Sequence, residues 1–324
     1  MKKGKRRFSF IFLVAMAFPV FLVGGLALKH PVLFERENVW AVGVYEGKSP
    51  LEVMESRSIN NPLITASDVT DIKASFVADP FLFRKDSVWY MFFEVLNSLD
   101  GKGDIGMAVS ADGRNWKYSQ IVLDEEFHLS YPYVFEHNGQ IYMIPESASA
   151  KHLRLYRAVD FPYRWEFAWK LLDGEFGDHA IFRYDEMWWL FAGSDPYKNT
   201  TLRLYYAEDL RDIWKEHPES PVVKDDADIA RPAGRVIMDG GKIYRLAQDC
   251  DPSYGRSVNA FEITELSKTR FAESPWESNP VLDRGRSGWT AHGMHHLDAH
   301  RAENGKWIAS IDGYVRRFII KINY

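Results

Sequence analysis

The sequence predicts an all-β protein: a five-bladed β-propeller preceded by one N-terminal transmembrane or signal-anchor helix. Three observations lead there. Aromatic residues make up 15% of the 324 residues, an excess that suits pleated, half-buried strands and sugar-facing surfaces. After residue 40 no amphipathic pattern of helix length dominates; a strand, a short turn and a second strand recur instead. The recurrence happens five times with a period of about 50 residues, the size of a four-stranded blade.

The N-terminus is a separate element. Met1 to Arg7 carries five positive charges, and Phe8 to Leu28 follows with 21 uncharged residues, long enough to cross a hydrocarbon core. Residues 1–28 are therefore read as a signal anchor, with a cleaved signal peptide as the alternative because Gly25 and Ala27 are small. In both cases the basic end stays cytoplasmic and the rest lies on the non-cytoplasmic side, membrane-anchored or secreted. Residues 29–38 read as a linker and 39–324 as the propeller.

The five units begin with ADPFLF at Ala78, YPYVFE at Tyr131, GDHAIF at Gly177, ARPAGR at Ala230 and AHGMHH at Ala291. One column opens them: Asp79, Tyr131, Asp178, Arg231 and His292. A second closes the second strand: Glu94, Glu146, Gly193, Gln248 and Asp312. In the first three units the two columns lie 15 residues apart. Segments such as GDIGMAVS and LRLYRAVD supply third and fourth strands. The fifth unit lacks a fourth strand, and VWAVGVYEG with NPLIT near the N-terminus is expected to complete it. Closing the ring with strands from both chain ends removes a free sheet edge; either end can supply the third strand of that blade.

Composition narrows the function. A formal net charge of −5 argues against nucleic acid as a partner, since phosphate binding calls for a basic excess. A single cysteine, Cys250, excludes a disulfide framework, a Cys-based zinc site and an iron–sulfur cluster within the chain. Gly101, Gly103 and Gly106 match G-x-G-x-x-G but lie between strand patterns, so no dinucleotide site is expected. Ser110, Asp112, Gly113 and Trp116 read as a hairpin turn with a tryptophan folded back over it.

In a closed ring the two columns converge on the axis from five distant places. Carboxylates gathered in this way acquire split pKa values, as the acid and base of glycoside cleavage require. Asp79, Glu146 and Asp178 are the candidate catalytic groups, and Glu94, Tyr131, His179, Arg231, Gln248, His292 and Asp312 the candidate binding groups. Structural alternatives stay open: Asp79 as an Asp-Pro turn, Arg231 as an ion-pair partner of an axial carboxylate, and the histidines of His292–His300 as a polar wall.

The ADPFLF start, the strand-pair repeat and the count of five resemble the propellers of glycoside hydrolase families 32, 43 and 62. That resemblance implies a base or nucleophile at Asp79. Tyr131 stands where those families carry an Asp, and Asp178–His179 where they carry a Glu. No metal or cofactor is expected; the alternative is an axial calcium, held in some family-43 propellers by a last-blade histidine that His292 loosely matches. Longer motifs, including VADPFLF, WYMFFE, YPYVFEHNGQIYMIPES, WWLFAG and RPAG, are similar to the N-terminal propeller-like domain of the plant glucosamine inositolphosphorylceramide transferases. This implies a glycan or glycolipid partner. The exostosin-like transferase domain that follows in those proteins is not among the matched motifs. The expected function is thus a glycosidase-like, carbohydrate-active propeller, with Asp79 as base and Glu146 or Asp178 as acid. The alternative is a non-catalytic glycan-binding module that works beside a separate glycosyltransferase.

Overall fold

The computed structural model describes residues 32–322. The segment read as a membrane or signal helix lies outside the described residues. Residues 39–315 form one compact unit, and residues 32–38 and 316–322 belong to a second, in which the Arg36 guanidinium lies over the Phe318 ring at 5.2 Å.

The described chain folds into five antiparallel sheets and contains no α-helix. It opens with β1 (Val32–Ser49) and β2 (Glu52–Met54), so strand begins inside the segment read as a linker. The first blade is β3 (Ala74–Lys85), β4 (Val88–Asn97), β5 (Gly103–Ser110) and β6 (Lys117–Leu123). The second is β7 (Ser130–His137), β8 (Gln140–Glu146), β9 (His152–Asp160) and β10 (Arg164–Asp173). The third is β11 (His179–Tyr184), β12 (Met187–Gly193), β13 (Leu202–Ala207) and β14 (Lys215–Glu216). The fourth is β15 (Ile237–Asp239), β16 (Lys242–Asp249), β17 (Ser257–Leu266) and β18 (Phe271–Pro275), with β19 (Leu282–Asp283) also paired to β17. The fifth runs β20 (Leu297–Arg301), β21 (Trp307–Ile322), β1, β2. The N-terminal segment therefore supplies both the third and the fourth strand of the last blade, which settles the choice the sequence left open.

Period-two alternation sends each strand's apolar residues into the layers between sheets. Trp188, Trp189, Leu190 and Phe191 of β12 are all buried, in a continuous cluster that takes in Leu153 and Leu155 of β9 and Ile243 of β16. Polar ties also lock the first blade to the fifth. The Leu82 N–H donates to Asp298 Oδ2 at 2.7 Å, and the Ser310 hydroxyl donates to the Pro80 carbonyl. Gly103 and Gly106 of the glycine motif lie in β5, away from any helix. In the turn after β5, Trp116 Nε1 donates back to the Gly113 carbonyl at 2.9 Å.

Two irregularities position the site. The β3–β4 register slips between Ala78 and Phe81, and the β7–β8 register slips between Ser130 and Tyr133. Each slip is a β-bulge, a device that re-aims a side chain. The bulged residues, Asp79 and Tyr131, hold φ at 54° and 48°. Each precedes a proline, which has no N–H to give to the ladder. A left-handed backbone at such residues stores about 1–3 kcal/mol each, and strain of this kind clusters at functional sites.

Candidate active site at the propeller axis

The starts of the five units meet at one end of the axis. Asp79, Tyr131, Asp178, Arg231 and His295 arrive there from blades one to five. Glu94, Glu146, Gln248 and Asp312 arrive from the neighbouring strands: Glu94 pairs with Ala78, Glu146 with Ser130, and the Gln248 N–H with the Arg231 carbonyl at 2.8 Å. Glycines make room at two points. A Cβ on Gly103 would lie 2.9 Å from Glu94 Oε1, and one on Gly177 would lie 3.2 Å from an Arg231 nitrogen.

Arg231 is the hub of one half. Its Nε donates to Asp178 Oδ2 at 2.7 Å and one terminal nitrogen to Glu146 Oε2 at 3.0 Å. The other terminal nitrogen donates to Asn199 Oδ1 at 2.7 Å and the Pro196 carbonyl at 3.2 Å. Gln248 Nε2 also donates to Asp178 Oδ2, and to the Pro232 carbonyl at 2.8 Å. Burial alone pushes the Asp178 carboxyl up, but the charge and hydrogen bond of Arg231 outweigh it and hold the group below the usual range. Burial pushes Glu146 well above its ordinary value; Arg231 opposes this, and the charge and hydrogen bond of Asp178 add to it. The two carboxyls are thus driven apart, Glu146 toward its protonated form and Asp178 toward its ionised form.

Asp79 belongs to the other half. Its N–H donates to Asp312 Oδ2 at 3.0 Å, and its Oδ2 accepts the Tyr131 N–H at 3.3 Å. Its Oδ1 has no hydrogen-bond partner although the residue is only 5% exposed. Burial raises the Asp79 pKa to about 7, against the lowering effect of His295 and with further raising from Asp178 and Asp312. Burial, then Asp79, Glu146, Asp178 and Asp312, likewise push Glu94 well up. Beside Glu94, His128 accepts the Gly103 N–H at Nδ1 at 2.9 Å and turns Nε2 toward Glu94 Oε1 at 3.5 Å.

Packed against this layer are Tyr131, His179 and His296, fully enclosed. Neither the Tyr131 hydroxyl nor any of the four ring nitrogens of the two histidines makes a hydrogen bond of normal geometry. Burial lowers both imidazole pKa values to about 4, so both rings are neutral at pH 7. Tyr254 is 37% exposed, with its ring 5.3 Å from the Arg231 guanidinium and 5.3 Å from the His295 ring.

Nine of the sequence candidates therefore gather at the axis: Asp79, Glu94, Tyr131, Glu146, Asp178, His179, Arg231, Gln248 and Asp312. His292 does not share their position. It is half-buried, its N–H donates to the Tyr314 carbonyl at 3.1 Å, and His295 stands against Asp79 in its stead. The register explains the shift. The two columns lie 15 residues apart in the first three units but 17 apart between Arg231 and Gln248; the same longer offset counted back from Asp312 reaches His295. That offset was the available signal. Nothing in the sequence pointed to Tyr254, which comes from the loop between β16 and β17.

Asp79, His295 and Asp312 offer donor atoms within 4.8 Å of one another, the only such grouping among the described residues. However, Asp312 Oδ1 already accepts the His295 ring and two backbone N–H groups, and its Oδ2 accepts the Asp79 N–H. The three residues are therefore joined by hydrogen bonds centred on Asp312. Chemically, the axis offers a carboxyl pushed toward its protonated form at Glu146 and a carboxyl with an unpartnered oxygen at Asp79.

Solved structures share this ring. A thermostable family-43 glycoside hydrolase superposes with a TM-score of 0.58 at 16% identity, covering 82% of this chain and 96% of its own. The catalytic domain of a family-62 α-L-arabinofuranosidase from Coprinopsis cinerea gives 0.59 at 14% identity, covering 79% and 95%. At these identities the likeness concerns the fold alone. Sequence carries the kinship further. A glucosamine inositolphosphorylceramide transferase 1 of Oryza sativa subsp. japonica is 37% identical over 336 aligned positions, covering 93% of this chain and 45% of that protein. The chain thus spans under half the length of this curated relative. Residues 34–314 match the family described as glucosamine inositolphosphorylceramide transferase 1, N-terminal, and the chain belongs to that family.

Proposed function

We propose that this propeller is a carbohydrate-active, glycosidase-like domain whose ligand is a glycan or glycolipid, bound at the mouth formed by Asp79, Glu94, Glu146, Asp178 and Arg231. One observation carries the reading: Glu146 and Asp178 converge on Arg231, while Asp79 presents a buried oxygen without a hydrogen-bond partner. Burial and the neighbouring Asp178 push the Glu146 carboxyl up, and Arg231 holds that of Asp178 down. A protonated carboxyl beside an ionisable one is the acid and base arrangement that cleaves a glycosidic bond. Asp79 is the base, and Glu146 is the acid in preference to Asp178, because Arg231 and Gln248 hold Asp178 ionised. In this scheme Glu146 protonates the leaving oxygen, Arg231 keeps Asp178 charged, and Asp79 takes the proton of the attacking water.

A second reading is favoured by a different observation. Asp79, Glu94 and Asp178 are nearly closed to solvent, which suits a module that binds a glycan or glycolipid without turnover, beside a separate glycosyltransferase. The name of the rice relative, a glucosamine inositolphosphorylceramide transferase, supports the glycolipid setting for both readings. The basic heptapeptide and the apolar run after it support a membrane-anchored protein with the propeller on the non-cytoplasmic side; protease added from outside should then digest the residues after 29. To test the main reading, the full chain is incubated with a panel of glycans and glycolipids, and released sugar is measured. Turnover that falls about 10²- to 10⁴-fold in Asp79→Asn, the range for loss of a general base, supports the enzyme. Binding without any product supports the module, and neither binding nor product rejects both.

A further inference from the structure

His295 is held in one orientation from every side. Its Nδ1 is 2.8 Å from Asp312 Oδ1, and the same oxygen accepts the backbone N–H groups of His295 and His296, each at 3.1 Å. The ring lies face to face with Trp40, centroids 4.0 Å apart at 26°, and the edge of Tyr254 packs against it at 5.3 Å. Gly255 closes the cage: its φ is +67°, and a Cβ there would lie 2.9 Å from Trp40 and 3.0 Å from the His295 Cβ. The ring cannot turn, so Nε2 faces Asp79 Oδ1, 3.4 Å away.

That separation is longer than a closed charge-assisted hydrogen bond, about 2.7–2.9 Å, and short enough for a small motion to close it. Asp79 Oδ1 is the oxygen without a hydrogen-bond partner. The other charged or titratable groups around His295 are Asp312, Asp178, His296 and Tyr254, and around Asp79 they include Asp178 and Arg231. We propose that Asp79 and His295 act as one proton-sharing pair anchored by Asp312, and that His295 is the positioning residue that sets the charge of Asp79. A proton leaving Asp79 Oδ1 is taken up at His295 Nε2, giving a carboxylate beside an imidazolium with no change in the pair's total charge. Burial raises the Asp79 carboxyl; burial lowers the imidazole, but Asp312 and Asp79 outweigh it and raise it. The Asp79 carboxyl is thereby raised out of the usual carboxylate range toward that in which an imidazole ordinarily titrates, which favours exchange between the two. The role of the pair in catalysis or binding rests on the axis being the carbohydrate site; the coupling itself does not.

The test is a nuclear magnetic resonance titration of the full chain in detergent micelles, with histidine and aspartate side chains isotope-labelled and no glycan present. In the wild type, the Asp79 carboxyl carbon and the His295 ring nitrogens should show an inflection at a common pH. In Asp79→Asn the His295 midpoint should fall by about one pH unit or more, the shift expected when an opposite charge at this range is removed. A His295 midpoint that stays the same in Asp79→Asn overturns the proposal. If that variant does not fold, the wild-type curves decide, and an Asp79 carbon that does not respond where His295 titrates overturns it equally. A coupled pair in a protein that binds no glycan would count against the carbohydrate reading alone.

Discussion

Replacing Arg231 with Met keeps most of the side-chain volume and removes the charge that neutralises Asp178. Asp178 is 1% exposed and would lose its 2.7 Å bond, and Glu146 would lose its 3.0 Å bond. Breaking a buried pair by deleting one partner costs about 3–5 kcal/mol. At about 2–4 °C per kcal/mol for a domain of this size, the melting midpoint should fall by roughly 6–20 °C at pH 7.5. The sign of the pH effect follows from Asp178. Its folded pKa is depressed below the ordinary 3.8, so the stability it contributes is present above 3.8 and lost as pH falls through the folded value. Without Arg231, burial raises that pKa, and the variant gains stability as pH falls and Asp178 takes up a proton. The gap between wild type and variant should therefore narrow between pH 7.5 and pH 5 in thermal melts followed by circular dichroism. A gap below about 1 kcal/mol, the size of an exposed pair, or an equal gap at both pH values would refute the argument.

Other consequences are simpler. Glu146→Gln can still accept from Arg231 and donate to Asp178, so its melting point should stay near wild type, within about 1 kcal/mol; a larger loss means that Glu146 is ionised. Tyr131→Phe deletes a buried hydroxyl that makes no hydrogen bond of normal geometry, so stability should hold or rise by about 1 kcal/mol in urea unfolding. Leu190→Ala, at a fully buried position in the layer between blades, should cost about 2–5 kcal/mol in the same assay.

The repeat was legible because a blade's needs are local. Each strand pair carries its own alternation and turn, as WYMFFE and WWLFAG show. The carboxyl columns followed, since a closed ring turns equivalent positions toward one axis, and Asp79, Glu94, Glu146 and Asp178 do meet there. What sequence could not show depends on register and on distant neighbours. In the last blade the contact with Asp79 comes from His295, 17 residues before Asp312, and not from His292, 20 residues before it. The opposite shifts of the Glu146 and Asp178 carboxyls depend on Arg231, which lies 85 residues from the first and 53 from the second. Tyr254 sits on a loop whose course no periodicity sets.

The central claim is that the axial carboxyl cluster is a carbohydrate site. The most direct measurement is a crystal structure of the protein soaked with the glycan that binds it best in the panel. The account predicts a sugar ring at the axis mouth, against Tyr254, with a hydroxyl or the glycosidic oxygen within hydrogen-bond reach of Asp79 Oδ1 and of Glu146. A sugar seated at the blade perimeter, for example along the exposed Phe167 and Trp169 of β10, with the axis unchanged, would contradict it.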